Sequence, residues 1–314
     1  MNRRELLKRS AALGLAAGIP SLAAGTLFAG TSATQADSAT DKTKLISNPL
    51  TPPAAQGSIP VAFPISKGAV IIDFCGPWEV FSAVEIHGRK DPAFHLYTVA
   101  ETKEPILASG GMEIVPGYTF QAAPAPKVIV IPAQSGAKEP MLEWIRTSTK
   151  STDVTMSVCT GAYVLAKTGL LSGKSATTFH RAYEDFAMEF PDIHLKRGAR
   201  FVEDGNLASS GGLTSGMDLA FRVVERYFGR EVAEETAYNI EYQGRGWTNP
   251  DSNLVYTKPP RFTADKSLCP VCGMDSEPTI TSDYKGKTYL FCNRNHKEAF
   301  DKDPARFVSA AQGQ

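Results

Sequence analysis

Charge imbalance is missing from this chain: 33 basic residues meet 33 acidic ones over 314 positions. No basic stripe runs along it, and no helix-turn-helix pattern follows its main body. Both absences argue against a nucleic-acid partner. Cysteine is scarce, five in all, and three of the five lie beyond Pro260. The long body therefore holds two, Cys75 and Cys159. No run is both long and strongly apolar. Ala11 to Gly30 is long enough to span a bilayer, but Ala and Gly dilute it. No catalytic triad or Cys–His dyad is readable. A hydrophobic share of 42% over this length allows one large domain and a small one.

What is present centres on Asp153-Val-Thr-Met-Ser-Val-Cys-Thr-Gly-Ala162. Strand character stops at Cys159, and a helical pattern follows through Lys167. A strand–Cys–Thr–Gly–helix turn is a nucleophile elbow, which lifts one side chain to the carboxyl end of a parallel strand. There it meets unpaired backbone N–H groups that favour a thiolate and can hold an oxyanion. A depressed Cys159 pKa is therefore expected. Gly161 is needed because a side chain would push the helix off the strand. The alternative is a buried cysteine closing a core strand. Asp73, in Asp73-Phe-Cys-Gly-Pro-Trp-Glu79, ends the first strand unit. It reads either as a partner of Cys159 or as a cap on a helix running from Gly76 to about Glu85.

Short apolar strands alternate with amphipathic helices from Ile59 to about Trp247. Strands are expected at 59–63, 94–100, 127–131 and 153–158, with a strand pair over 201–207 turning at Asp204-Gly205. Helices are expected at 141–148, 213–228 and 230–242. This alternation predicts an α/β fold, a doubly wound parallel sheet with helices on both faces. Residues 37–58 and the Pro-rich stretch 250–264 read as linkers, placing the main domain at 59–249.

After the second linker, Cys269-Pro-Val-Cys272 is followed by Cys292 and His296, a C-x2-C-x19-C-x3-H pattern. A knuckle supplies two sulfurs, with Gly273 relieving its backbone. A helix start supplies the other two ligands on one face. Three thiolates and an imidazole suit one tetrahedral zinc ion, and soft thiolates also suit copper(I). So small a module needs a metal as a folding staple. The alternative is a Cys269–Cys272 disulfide.

Three resemblances add to these readings. The N-terminus, Asn2-Arg3-Arg4-Glu5-Leu6-Leu7-Lys8 with Ala33-Thr-Gln-Ala36 after the apolar run, resembles a twin-arginine signal peptide over residues 1–36. It implies handling by the twin-arginine translocase and a periplasmic location; retention as an N-terminal anchor is the alternative. Its removal would leave 29 basic and 32 acidic residues, net −3. Residues 265–310 resemble a YHS domain through Cys269-Pro-Val-Cys-Gly-Met274, Tyr284-Lys-Gly-Lys-Thr-Tyr-Leu-Phe-Cys292 and Pro304-Ala-Arg-Phe307. This implies a small treble-clef-like metal binder, with His296 standing where many relatives carry Cys.

The main body resembles the ThiJ/PfpI superfamily, with its class I glutamine amidotransferase-like, flavodoxin-like fold. The match runs through Asp73-Phe-Cys-Gly-Pro77, Thr155-Met-Ser-Val-Cys-Thr-Gly161, Gly169-Leu-Leu-Ser-Gly-Lys-Ser-Ala-Thr-Thr178 and Gly211-Gly-Leu-Thr-Ser-Gly-Met-Asp218. The nearest branch is the isocyanide hydratase group. It implies Cys159 as nucleophile, assisted by Asp73 and Thr160, on a small-molecule substrate. Ala133-Gln134 departs from the usual Gly-Gly after the central strand, and Gln134 is expected to offer an amide donor instead. His180 reads as a helix-start hydrogen bonder or a catalyst, and Cys75 as a core residue or a redox partner of Cys159. A homodimer is expected. The functional expectation is an exported cysteine-dependent hydratase or hydrolase. The competing one is a periplasmic metal-binding or redox-responsive protein working through the YHS module. A ligand-binding domain without chemistry is a third reading, weakened by the missing DNA-binding module.

Overall fold

The computed structural model describes residues 48–53, 57–257 and 268–308, all within one compact unit, Leu45–Gln314. The expected signal peptide over residues 1–36, most of the first expected linker and residues 258–267 lie outside the described residues. Among those described, no helix is long and apolar enough to cross a membrane.

In chain order, β1 (Ile59–Pro64), α1 (Ile71–Ser82), β2 (Phe94–Ala100), β3 (Ile106–Leu107), β4 (Glu113–Ile114), β5 (Tyr118–Thr119), β6 (Val128–Ile131), α2 (Glu139–Thr149), β7 (Val154–Val158) and α3 (Gly161–Lys167) come first. Then follow β8 (Ser175–Ala176), α4 (Tyr183–Glu189), β9 (His194–Leu195), β10 (Phe201–Asp204), β11 (Leu207–Ser210), α5 (Ser215–Phe228) and α6 (Arg230–Asn239). The main sheet runs β10-β11-β7-β6-β1-β2-β5. All pairs are parallel except the β10–β11 hairpin at one edge. Taking β2, β1, β6, β7 and β11 as chain-order strands gives 2-1-3-4-5, the flavodoxin-like order.

The β6 run Val-Ile-Val-Ile shows why the sheet is buried on both faces. Val128 and Val130 join a core with Phe74, Val80 and Phe81 of α1 and Leu219 and Val223 of α5. Ile129 and Ile131 point the other way, into Met141 and Ile145 of α2 and Leu165 of α3. Successive strand side chains alternate faces, so a run apolar at every position needs a helix layer on each side. Fully burying each such side chain stabilises the fold by about 1.5–3 kcal/mol.

Several boundaries differ from the sequence reading. The first helix begins at Ile71, not Gly76, and ends at Ser82. Pro77 therefore lies inside it, removing one i→i−4 bond rather than marking its start. The hairpin extends to Ser210, beyond the expected 207. Helix α4 had no counterpart in the expectation. Its signal was present in the spacing of Tyr183, Phe186 and Phe190, a helical face whose first two members are buried. Residues 250–257 pack on the main domain: Asn253 is buried, and its amide binds Arg200 and the Ser215 hydroxyl.

The C-terminal residues form the hairpin β12 (Glu277–Tyr284) and β13 (Lys287–Phe291), then α7 (Arg294–Lys302) and α8 (Pro304–Val308). Phe291, Phe300 and Phe307 make a small core with Cys269 and Cys272. A knuckle, a hairpin and a helix in this order are the treble-clef-like arrangement expected.

Candidate functional sites

Strand β7 ends at Val158, and Cys159 turns the chain with φ of +58°. For a residue with a Cβ this is an uncommon, strained conformation. Two contacts hold it: the Cys159 N–H donates to the Gly211 carbonyl at 3.0 Å, and the Cys159 carbonyl accepts the Thr178 hydroxyl at 3.0 Å. Thr160 is the N-cap of α3, yet its hydroxyl does not cap the helix; it reaches the Cys159 sulfur instead. Gly161 has the role the sequence suggested. A Cβ there would stand 2.2 Å from the Ile131 carbonyl oxygen and 2.9 Å from the Pro132 carbonyl carbon.

Asp73 meets this elbow from the other side of the topological switch between β1 and β6. It is not a helix cap: the N-cap of α1 is Val70, and Asp73 lies in the first turn. Its Oδ2 accepts the Ala133 N–H at 3.1 Å, at the end of β6. Its Oδ1 is buried and makes no hydrogen bond with the described residues. Carboxyl ends of β1, β6 and β7 thus converge, where ligands bind in open α/β sheets.

Burial pushes the Asp73 carboxyl up from 3.8 to about 7, against the pull of the Ala133 N–H. The Cys159 thiol departs from expectation. It is pushed up to about 11, first by burial and then by the negative charge of Asp73. The N–H groups of Thr160 and Leu213 and the Thr160 hydroxyl pull it down, but less strongly. The elbow supplies the donors the sequence implied; desolvation at 7% exposure outweighs them. The site thus pairs a resting thiol with a carboxyl that titrates near neutrality.

The remaining candidates separate. Gln134 offers no spare arm toward Cys159 of the kind expected: its Oε1 accepts from Ser66 at 2.7 Å and its Nε2 donates to the Pro64 carbonyl at 3.1 Å. It braces the ends of β1 and β6. His180 stacks on Tyr256 with ring centroids 5.0 Å apart, and burial and Arg181 lower its pKa; neither Cys159 nor Asp73 perturbs it. Cys75 is a free, half-buried thiol packed at the edge of the main core. Two residues beyond Asp73 on a helix, it points away from that carboxylate. Sequence reasoning missed the loop Gly211–Leu213, which provides both a carbonyl and an N–H to the cysteine. Its signal was the Gly-Gly pair: a Cβ on Gly212 would lie 2.5 Å from the Phe179 ring.

The second site is the cluster of Cys269, Cys272, Cys292 and His296, whose ligand atoms all lie within 4.8 Å of one another. Cys272 Sγ is 3.5 Å from Cys292 Sγ, and His296 Nδ1 is 3.0 Å from Cys292 Sγ and 3.5 Å from Cys269 Sγ. Tetrahedral ligands at zinc bond lengths would stand roughly 3.5–3.8 Å apart, so the donor set fits one such ion. All the cysteines are free, which removes the Cys269–Cys272 disulfide reading from this structure. The knuckle closes through Gly273 N–H to the Cys269 carbonyl at 2.8 Å, with Gly273 at φ of +74°. Cys292 precedes α7 instead of lying on it, and His296 sits in the first turn, where its N–H binds the Asn293 cap at 2.8 Å. Cys269 is drawn down because Cys272 donates to it, and Cys272 is pushed up by that same contact and by burial.

Comparison with known proteins agrees with this geometry. The family model described as DJ-1/PfpI family matches residues 60–226, and that of the YHS domain matches 269–311. Isonitrile hydratase of Pseudomonas putida is 33% identical over 54% of this chain and 73% of its own. The HTH-type transcriptional regulator GbdR of Pseudomonas aeruginosa is 23% identical, and the match spans only 51% of that protein. Among solved structures, a ThiJ/PfpI family protein from Pseudomonas syringae superposes with TM-score 0.54 at 22% identity, covering 74% of this chain and 88% of that one. DJ-1beta of Drosophila melanogaster gives 0.51 at 20%, covering 60% and 100%. Likenesses at this identity speak for the fold alone.

Proposed function

This chain belongs to the DJ-1/PfpI family and carries a C-terminal YHS domain, and from that premise we propose that it is a cysteine-dependent hydratase acting on isonitriles. The observation that carries the reading is the pairing of Cys159, in its strained elbow, with an Asp73 carboxyl poised near neutral pH. The likeness to isonitrile hydratase supports the substrate class.

The chemistry follows from the groups present. Asp73 takes the thiol proton as Cys159 Sγ bonds to the terminal isonitrile carbon. That carbon accepts the proton from Asp73, leaving a thioimidate on the enzyme. Water adds to the same carbon and its proton goes to nitrogen. Collapse of the adduct breaks the carbon–sulfur bond, restores the thiol and releases an N-substituted formamide. The N–H groups of Thr160 and Leu213, already directed at the sulfur, stabilise negative charge as it develops.

The YHS domain holds one transition-metal ion, zinc or copper(I), through three sulfurs and His296 Nδ1. Bound metal supplies a structural cross-link there. Export by the twin-arginine route to the periplasm and assembly as a homodimer complete the proposal; the first rests on the Arg3-Arg4 segment.

The test is incubation of the purified full chain with a panel of aliphatic and aromatic isonitriles, with formamide read by mass spectrometry. Product from the parent and none from Cys159→Ala is expected. Formamide at equal rates from both would overturn the reading, and consumption of 2-oxoaldehydes alone would overturn the substrate class.

A further inference from the structure

The metal-ligand cluster does not end at the boundary of its own module. His296 is 2% exposed and offers Nδ1 to the sulfurs, so its other nitrogen, Nε2, faces away from them. A neutral imidazole that ligates a metal through Nδ1 must carry its proton on Nε2, and that proton needs an acceptor once water is excluded. Among the described residues, no group of the C-terminal module is bonded to it. The acceptor within reach belongs to the α/β domain: Asp185 on α4, with Oδ2 3.2 Å from His296 Nε2. At that separation the carboxylate lies at hydrogen-bonding distance from the nitrogen, ready to accept the Nε2 proton.

Two further contacts support this placement. Asp185 Oδ1 accepts from Asn295 Nδ2 at 3.3 Å, so both carboxylate oxygens are turned toward the start of α7. The neighbouring Glu184 binds Arg306 of α8 at 2.6 Å while also bound to Arg197 of its own domain at 3.0 Å. The first turn of α4 thus presents two carboxylates to the module, one on a metal ligand and one on a plain cation. Glu184 is an ion pair between partly exposed groups and holds no ligand. Asp185 is the residue whose partner would touch the ion.

We propose that Asp185 of the α/β domain is a positioning residue for the metal centre of the YHS domain, fixing His296 with Nδ1 toward the ion, so that metal loading and the contact between the two domains are coupled. This inference rests on the metal-binding reading of the four ligands. It assigns to the main domain a part in a site whose ligands all lie in the other.

The chemistry supplies its own control. A thiolate at position 296 has no second N–H for Asp185 to accept, so the effect of Asp185 must vanish in a His296→Cys background. Zinc affinity of the full chain is measured by competition with a chromophoric chelator for the parent, Asp185→Ala, Glu184→Gln, His296→Cys and the double variant Asp185→Ala/His296→Cys. Asp185→Ala is expected to weaken zinc about 10- to 100-fold. Glu184→Gln, and Asp185→Ala in the His296→Cys background, are expected to change it less than about threefold. Hydrogen exchange of residues 183–189 is then followed in the same proteins with and without zinc. Slowing by zinc in the parent and not in Asp185→Ala is expected. Equal affinity of the parent and Asp185→Ala overturns the proposal while leaving the metal site standing. An equal loss in both backgrounds, or the same loss from Glu184→Gln, overturns the role through His296. A parent that binds no stoichiometric zinc removes the metal reading and the inference with it.

Discussion

The carboxyl group of Asp73, in the first turn of α1, presses its negative charge on the thiol of Cys159 at the end of β7. The two groups are brought together because β1, β6 and β7 are parallel neighbours whose carboxyl ends share one edge. The Asp73 charge, added to burial, keeps the proton on the thiol until well above neutral pH, while burial alone raises the Asp73 carboxyl toward 7. That is the state from which a thiol can be deprotonated as it attacks.

Alkylation of Cys159 should follow from this pairing. In the parent the rate with iodoacetamide, read site by site by mass spectrometry, should rise with pH toward about 11, where the thiol ionises. Asp73→Asn removes the repelling charge, so the same curve should move to lower pH. Superimposable curves would show that the two groups do not interact.

Stability should respond to Asp73 in the opposite sense to activity. Its folded carboxyl titrates near 7, above the ordinary 3.8. The folded protein therefore holds this proton more tightly than the unfolded chain. The stabilisation is full below 3.8 and is lost as pH rises through about 7. At pH 8 Asp73→Asn, which cannot charge, should be the more stable protein, by up to about 4 kcal/mol. Urea midpoints at pH 4 and pH 8 test this. A variant less stable than the parent at pH 8 would contradict it.

Gly161→Ala should damage both fold and chemistry. The added Cβ meets backbone atoms of Ile131 and Pro132, which cannot move aside as a side chain could. A loss of about 1–3 kcal/mol is expected from the overpacking, with a fall in Cys159-dependent turnover. An unchanged denaturation midpoint would mean that the strand and helix separate freely.

The metal site should be separable from the main core. Replacing Cys269 and Cys272 with Ser removes two of four ligands from a module whose own core is three phenylalanines. Metal content of the parent should be one ion per chain. The double variant should lose it, together with the thermal transition of the module, while the transition of the α/β domain persists. Retention of full metal content would mean that the ion sits elsewhere.

Much of this was legible along the chain. The all-apolar β6 run announced a strand buried on both faces. The strand–Cys–Thr–Gly pattern announced the elbow and the crowding at Gly161. Four ligands at zinc spacing announced the cluster, because a knuckle and a helix start are local structures that short segments specify by themselves. What depended on contacts between distant segments was not legible. The direction in which the Cys159 thiol shifts is set by desolvation, and desolvation is decided by whatever closes over the sulfur, here in part the Gly211–Leu213 loop. Gln134 became a brace because Pro64 and Ser66 came to lie beside it. Helix α4 could be read from the spacing of its aromatics, but not that Asp185 on its outer turn would meet His296. Periodicity reports which face of an element is buried; only the packing of whole elements decides which polar group on the other face finds a partner.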